Sequence, residues 1–167
     1  MKTSTDRTPR KRVAERVTAA AYGTVLVLAA LAVLSPDNVE AGHGWEIIAG
    51  VGLATWMAHL YAQTIGDHLL HGSTIDRKEI GRAMADGSPI LLAAVAPAIV
   101  LLLGRLDVLE ARTALIVAVL VAFLQLVGVG VFVGRIVSTR QGGVWWYAIA
   151  TAAVGLVVVT VKLILTH

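Results

Sequence analysis

The sequence predicts an all-α fold, a polytopic transmembrane helix bundle of five spans with its N-terminus in the cytoplasm. Three observations predict it. First, 57% of the 167 residues are hydrophobic and only 15% are charged, with a mean hydropathy of +0.78; soluble domains are nearer a quarter charged. Second, uncharged runs occupy 17–36, 47–66, 87–104, 113–134 and 141–161, with lengths of 20, 20, 18, 22 and 21 residues. Each is about the ~20 residues that cross ~30 Å of hydrocarbon as a helix. Third, Lys and Arg alternate between connections, eleven on one side and three on the other, and the basic side is the cytoplasmic one.

The N-terminal segment 1–12 is polar, rich in Thr, Lys and Arg, and lacks an apolar period. It reads as a disordered basic tail that meets anionic lipid headgroups rather than nucleic acid. Residues 13–167 read as one transmembrane domain, with spans at about 17–36, 45–66, 88–104, 113–134 and 143–165. The first span also fits a signal peptide, with basic residues before it and small Ala30 and Ala32 within it. Its length matches the other spans rather than a signal h-region of about 7–15 residues, so an uncleaved anchor is the expectation.

The outer connection SPDNVEAGHG is a cluster of turn formers. Trp45 marks the outer edge of the second span, and Trp145, Trp146 and Tyr147 mark the inner edge of the last, as an aromatic belt does. In the inner connection HGSTIDRKEIGRAMADGSP, Ser73 and Asp76 resemble a helix start, and Ile75, Ile80, Ala83 and Met84 suit a short interfacial helix. Ser88 followed by Pro89 reads as an N-cap and first-turn proline opening the third span.

Candidate chemistry concentrates on the second span. Thr55, His59, Gln63, Asp67 and His71 follow at i+4 spacing among Leu, Ala, Ile, Met and aromatic residues, which makes a polar stripe winding slowly round the helix. His59 is the sole histidine in the five uncharged runs, and it lies about 4 Å to the inner side of the midplane by helical rise. Gln125 on the fourth span lies about 2 Å to the same side. Pro97 cannot donate to the carbonyl of Ala93, which also falls about 4 Å inside the midplane. The expectation is one hydrogen-bonded cluster of imidazole, amide and freed carbonyl, read either as a conduction path or as interhelical glue.

At the inner headgroup level His68 and His71 share a helix face, with Asp67 beside them and Glu79 nearby. That set includes metal-ligand types, but residues at this depth are ordinarily solvated, so no metal and no cofactor is expected. A bis-His haem would need His59 from two protomers. Gly128, Gly130 and Gly134 on the fourth span and Gly50 and Gly52 on the second, with Pro97 on the third, are candidate packing positions, since small residues let backbones approach closely. An odd number of spans in so small a bundle also suits a homo-oligomer.

Enzymatic readings fare worse. The chain has no Cys, no HExxH, no GxSxG and no GxxxxGK[ST], which removes thiol, zincin, serine-hydrolase and P-loop chemistry. Lipid-surface or metal-dependent chemistry at Asp67, His68 and His71 is the one exception left. The expectation is that the chain is not an enzyme.

The segment WMAHLYAQTIGDHL, with its AHLYA core, resembles the second helix of small Ala- and Val-rich multi-pass proteins of high-GC bacteria described simply as integral membrane proteins. The resemblance implies the bacterial cytoplasmic membrane and no activity. The function expected is therefore a channel or transport-related role with a polar seam of Thr55, His59, Gln63, Asp67 and Gln125. The alternative is a non-catalytic scaffold or partner subunit whose seam only fixes helix packing.

Overall fold

The computed structural model describes residues 9–71, 77–137 and 141–165, and among them all regular structure is helical. The elements are α1 (Pro9–Val33), α2 (Pro36–Glu40), α3 (Gly44–His71), α4 (Arg77–Arg105), α5 (Ala111–Val137) and α6 (Gln141–Leu165). Three described stretches are long and apolar enough to cross a membrane: Arg12–Val33, Ile80–Arg105 and Ala111–Ile136. In α6 the described apolar stretch is the shorter Val144–Val158. With 28 residues α3 has the length, but Thr55, His59, Gln63 and Thr64 interrupt its apolar residues and it is not one of the three.

The long helices α3, α4, α5 and α6 pack in chain order, each against the next, and α1 lies on α4 and α5 while also touching α3 and α6. Val27, Leu28, Leu31, Leu101 and Leu126 fill the centre, against Ala114, Ala118 and Ala122. Those three alanines on α5 are 0% exposed; at i+4 spacing they form a smooth strip that admits the neighbouring helices. The opposite faces carry Leu53, Met57, Leu92, Leu120, Leu124, Phe132 and Leu156 outward. Only 22% of the most apolar stretch of α5 is buried within the protein. Its hydrophobicity therefore answers to a lipid solvent more than to a protein core.

The connections are closed by local chemistry. Ser35 caps α2 in a reciprocal box with Asn38, and Pro36 opens the helix. Gly42 (φ +82°) then ends it, with Gly42 N–H donating to Val39 at 3.0 Å and His43 N–H to Asn38 at 2.9 Å. This Schellman pair needs a left-handed residue, and the Arg105 side chain fills the space where a Cβ would project. The α4–α5 turn repeats the device with Asp107 (φ 55°): Asp107 N–H donates to Gly104 at 3.3 Å and Val108 N–H to Leu103 at 3.1 Å. Arg105 Nη1 donates to the Ala41 carbonyl at 3.3 Å, tying the two turns together.

Three expectations are corrected. The helix begins at Pro9, so the final residues of the segment expected to be disordered are helical, and 1–8 lie outside the described residues. The outer connection contains a helix, α2, rather than turns alone. No separate interfacial helix precedes a span opening at Ser88, because α4 runs unbroken from Arg77 through Pro89 and Pro97. The physical reason is visible at Ser88. Pro89 cannot donate to the Ala85 carbonyl, and the Ser88 hydroxyl donates to that carbonyl instead, at 2.8 Å. Ser73, Ile75 and Asp76 lie outside the described residues.

Candidate functional site

On α3 the two central members of the polar row, His59 and Gln63, bond to each other. The Gln63 amide nitrogen donates to His59 Nε2 at 2.9 Å, which puts the imidazole proton on Nδ1. The Thr64 hydroxyl donates to the Leu60 carbonyl at 2.8 Å. The His59 ring and the Trp56 indole both lie against Gly87 of α4, each 3.3 Å from where its Cβ would stand. Trp56 Nε1 is buried there without a partner. Thr55 is half-buried on the same helix.

The expected single cluster does not assemble. Among the described residues α3 and α5 share no contact, because α4 lies between them. His59 therefore sits at the α3–α4 junction, and Gln125 sits on the far side of α4. Depth along the membrane normal was calculable from helical rise; the direction round each helix and the choice of neighbour were not.

Gln125 belongs to a cavity of about 610 Å³ between α1, α4 and α5. From α1 it is lined by Val13, Arg16, Val17, Ala20 and Thr24; from α4 by Pro89, Leu92 and Ala93; from α5 by Gln125, Gly128, Val129 and Phe132. Val13 and Thr24 are about 16 Å apart along α1 by helical rise. Arg16, exposed, stands near one end, and among the described residues no acidic one lines the space. Leu92 and Phe132 are 63% and 50% exposed, so the cavity opens on the side where lipid would lie.

Its inner part is polar. Gln125 Oε1 is buried and has no hydrogen-bond partner. Thr24 is 2% exposed, and its hydroxyl donates to the Ala20 carbonyl at 2.8 Å, which leaves the oxygen free to accept. The Ala93 carbonyl receives no i+4 bond from Pro97. The residue before Pro97 is Ala96, which has no hydroxyl to supply what Ser88 supplies at Pro89. Thr24, a residue the sequence reading passed over, is thus part of the site, and its place in one cavity lining with Gln125 had no signature in the sequence.

The candidate packing residues divide. A Cβ on Gly130 would strike the Thr151 hydroxyl and lie 2.9 Å from the Tyr147 carbonyl, and one on Gly134 would lie 2.7 Å from Val144 Cα; both sit at the α5–α6 contact. Gly128 meets nothing within 4 Å and faces the cavity instead. Pro97 is fully buried. Gly52 on α3, one of the small residues expected to pack closely, does so, since a Cβ there would stand 2.6 Å from Ala94 Cβ; close approaches missed in the sequence include Gly23 on α1, where a Cβ would stand 2.9 Å from Ile90 Cα, and Gly104 on α4, where one would stand 2.7 Å from Ala114 Cβ.

The side chains of Asp67, His68, His71 and Glu79 lie outside the described residues. Among the described residues no group of three or more His, Cys, Asp or Glu side chains is placed to hold a metal ion. Comparison with protein-family models, with curated proteins and with solved structures found no match.

Proposed function

We propose that this chain is a five-span protein of the bacterial cytoplasmic membrane, N-terminus inside, with a transport-related role exercised at the α1–α4–α5 cavity rather than along the α3 row. The spans beyond the three helices that carry a long apolar stretch are α3 and α6. Both are long enough to cross, at 28 and 25 residues, and the eleven-to-three distribution of Lys and Arg supports the orientation.

The observation that carries the reading is that Gln125, whose side-chain oxygen is buried and unpartnered, lines an apolar cavity open toward lipid. A polar group without a partner in such surroundings costs about 1–3 kcal/mol, a cost that a bound molecule with a matching donor offsets. The bilayer is the source such an opening faces, so the handled molecule is membrane-soluble. The second reading, a non-catalytic partner subunit, is supported by the hydrogen bond between His59 and Gln63, which engages one nitrogen of the imidazole within its own helix.

The test is movement across liposomes containing the purified chain. A dithionite-quenchable fluorescent amphiphile reports exchange between leaflets, and a pH-sensitive dye reports proton flux. Amphiphile exchange in the wild type, abolished by Gly128→Leu and retained by His59→Leu, is expected. Proton flux that depends on His59 and ignores Gly128→Leu returns the function to the α3 row. Neither movement leaves the partner-subunit reading.

A further inference from the structure

We infer that the α1–α4–α5 cavity binds a neutral lipid by its hydroxyl group, with the hydroxyl held among Gln125, Thr24 and the Ala93 carbonyl. This inference rests on the cavity reading above and names the chemistry of its occupant.

The polar end of the cavity offers acceptors. Gln125 Oε1 is buried with no donor. The Thr24 hydroxyl has spent its hydrogen on Ala20. The Ala93 carbonyl has lost its helical donor to Pro97. The two prolines of α4 are treated differently: at Pro89 the preceding Ser88 replaces the missing donor, whereas at Pro97 the preceding residue is alanine. Pro97 thus leaves the Ala93 carbonyl without its i+4 donor, and Ala93 lines the cavity.

A carbonyl-only ligand can accept from the Gln125 amide nitrogen but has no hydrogen for these acceptors, whereas a hydroxyl both accepts and supplies one. A carboxylate or phosphate does worse, since burial of its charge beside these oxygens is unfavourable. Arg16, the cation of the lining, stands nearer the other end, about 12 Å along α1 from Thr24 by helical rise. Charge therefore selects against an anion at the polar end. The rest of the lining is apolar, and the opening past Leu92 and Phe132 lets a hydrocarbon tail leave toward the bilayer while the hydroxyl stays inside. The shared chemistry, an O–H on a long apolar body, belongs both to acylated glycerols and to isoprenoid hydroquinones.

The experiment is photolabelling of the full chain in nanodiscs with a diazirine-bearing long-chain alcohol, read as labelled peptides. The matched methyl ether, which keeps size and tail and lacks the donor, is the control. The alcohol is expected to label α4 and α5 near Leu92 and Phe132 about tenfold more than the ether, the factor one hydrogen bond contributes. Gln125→Leu is expected to remove that advantage. Gly128→Leu, placed where a Cβ meets nothing within 4 Å, is expected to exclude both probes while leaving the fold intact.

Competition by unlabelled diacylglycerol or by an isoprenoid hydroquinone identifies the source; competition by neither overturns the inference. Equal labelling by alcohol and ether overturns it too, as does stronger labelling by a diazirine fatty acid at pH 8. Failure of leaflet exchange with this labelling intact removes the transport role and leaves the site. Exchange without it removes only the hydroxyl specificity.

Discussion

Gly52 allows the closest test of how these helices meet. Its hydrogen faces α4, and a Cβ there would stand 2.6 Å from Ala94 Cβ. Carbon atoms in good contact stand about 3.5–4.0 Å apart, so Gly52→Ala requires α3 and α4 to separate by about 1 Å. Neither atom can turn away, because a Cβ is fixed to its backbone. Overpacking of this kind costs about 1–3 kcal/mol. Gly50, two residues earlier on α3, meets nothing within 4 Å, so Gly50→Ala carries the same gain in helix propensity with no clash. The propensity contribution cancels between the two variants, and the difference in their stability reports the contact alone. Unfolding in mixed detergent–SDS micelles is expected to place Gly52→Ala about 1–3 kcal/mol below Gly50→Ala. Equal stability within about 0.5 kcal/mol, the usual scatter for independent sites, would show that the two backbones do not approach as described.

Two further outcomes concern threading and metal. A reporter fused after His167 is expected to be accessible from outside the cytoplasm and one inserted between residues 72 and 76 from inside; a cytoplasmic C-terminus in the intact chain removes the five-span proposal. Elemental analysis of protein purified without added salts is expected to find less than one transition metal per protomer, unchanged by His68→Ala with His71→Ala. Stoichiometric zinc lost in that double variant would establish a site there, because neutral His nitrogens and a nearby carboxylate are ordinary zinc ligands.

What the sequence determined by itself is the helical class and the solvent. Long uncharged runs rich in Leu, Ile and Val are properties of composition along one dimension, and a helix that crosses lipid needs nothing from its neighbours to be recognised. The same one-dimensional reading marked Gln125, His59 and Pro97 as unusual, since polar or helix-breaking residues in apolar runs stand out wherever they point. The boundary at Ser88 was misread for a related reason. Ser-Pro opens a helix when its hydroxyl meets the N–H groups ahead of it, and mends one when the hydroxyl turns back to the carbonyl behind, as it does to Ala85; the letters are identical in both cases.

The tertiary structure alone decided which unusual residues meet. Depth follows from counting 1.5 Å per residue, but azimuth and neighbour depend on how all the helices pack, and α4 stands between His59 and Gln125. Close approach is equally collective. In a chain this rich in Ala and Gly, small residues at i+4 spacing occur on several faces, so the pattern does not distinguish Gly128, which faces open space, from Gly130, which presses on Thr151. The distinction arises only when a second surface is present, because a missing Cβ matters energetically only where something occupies the volume it leaves.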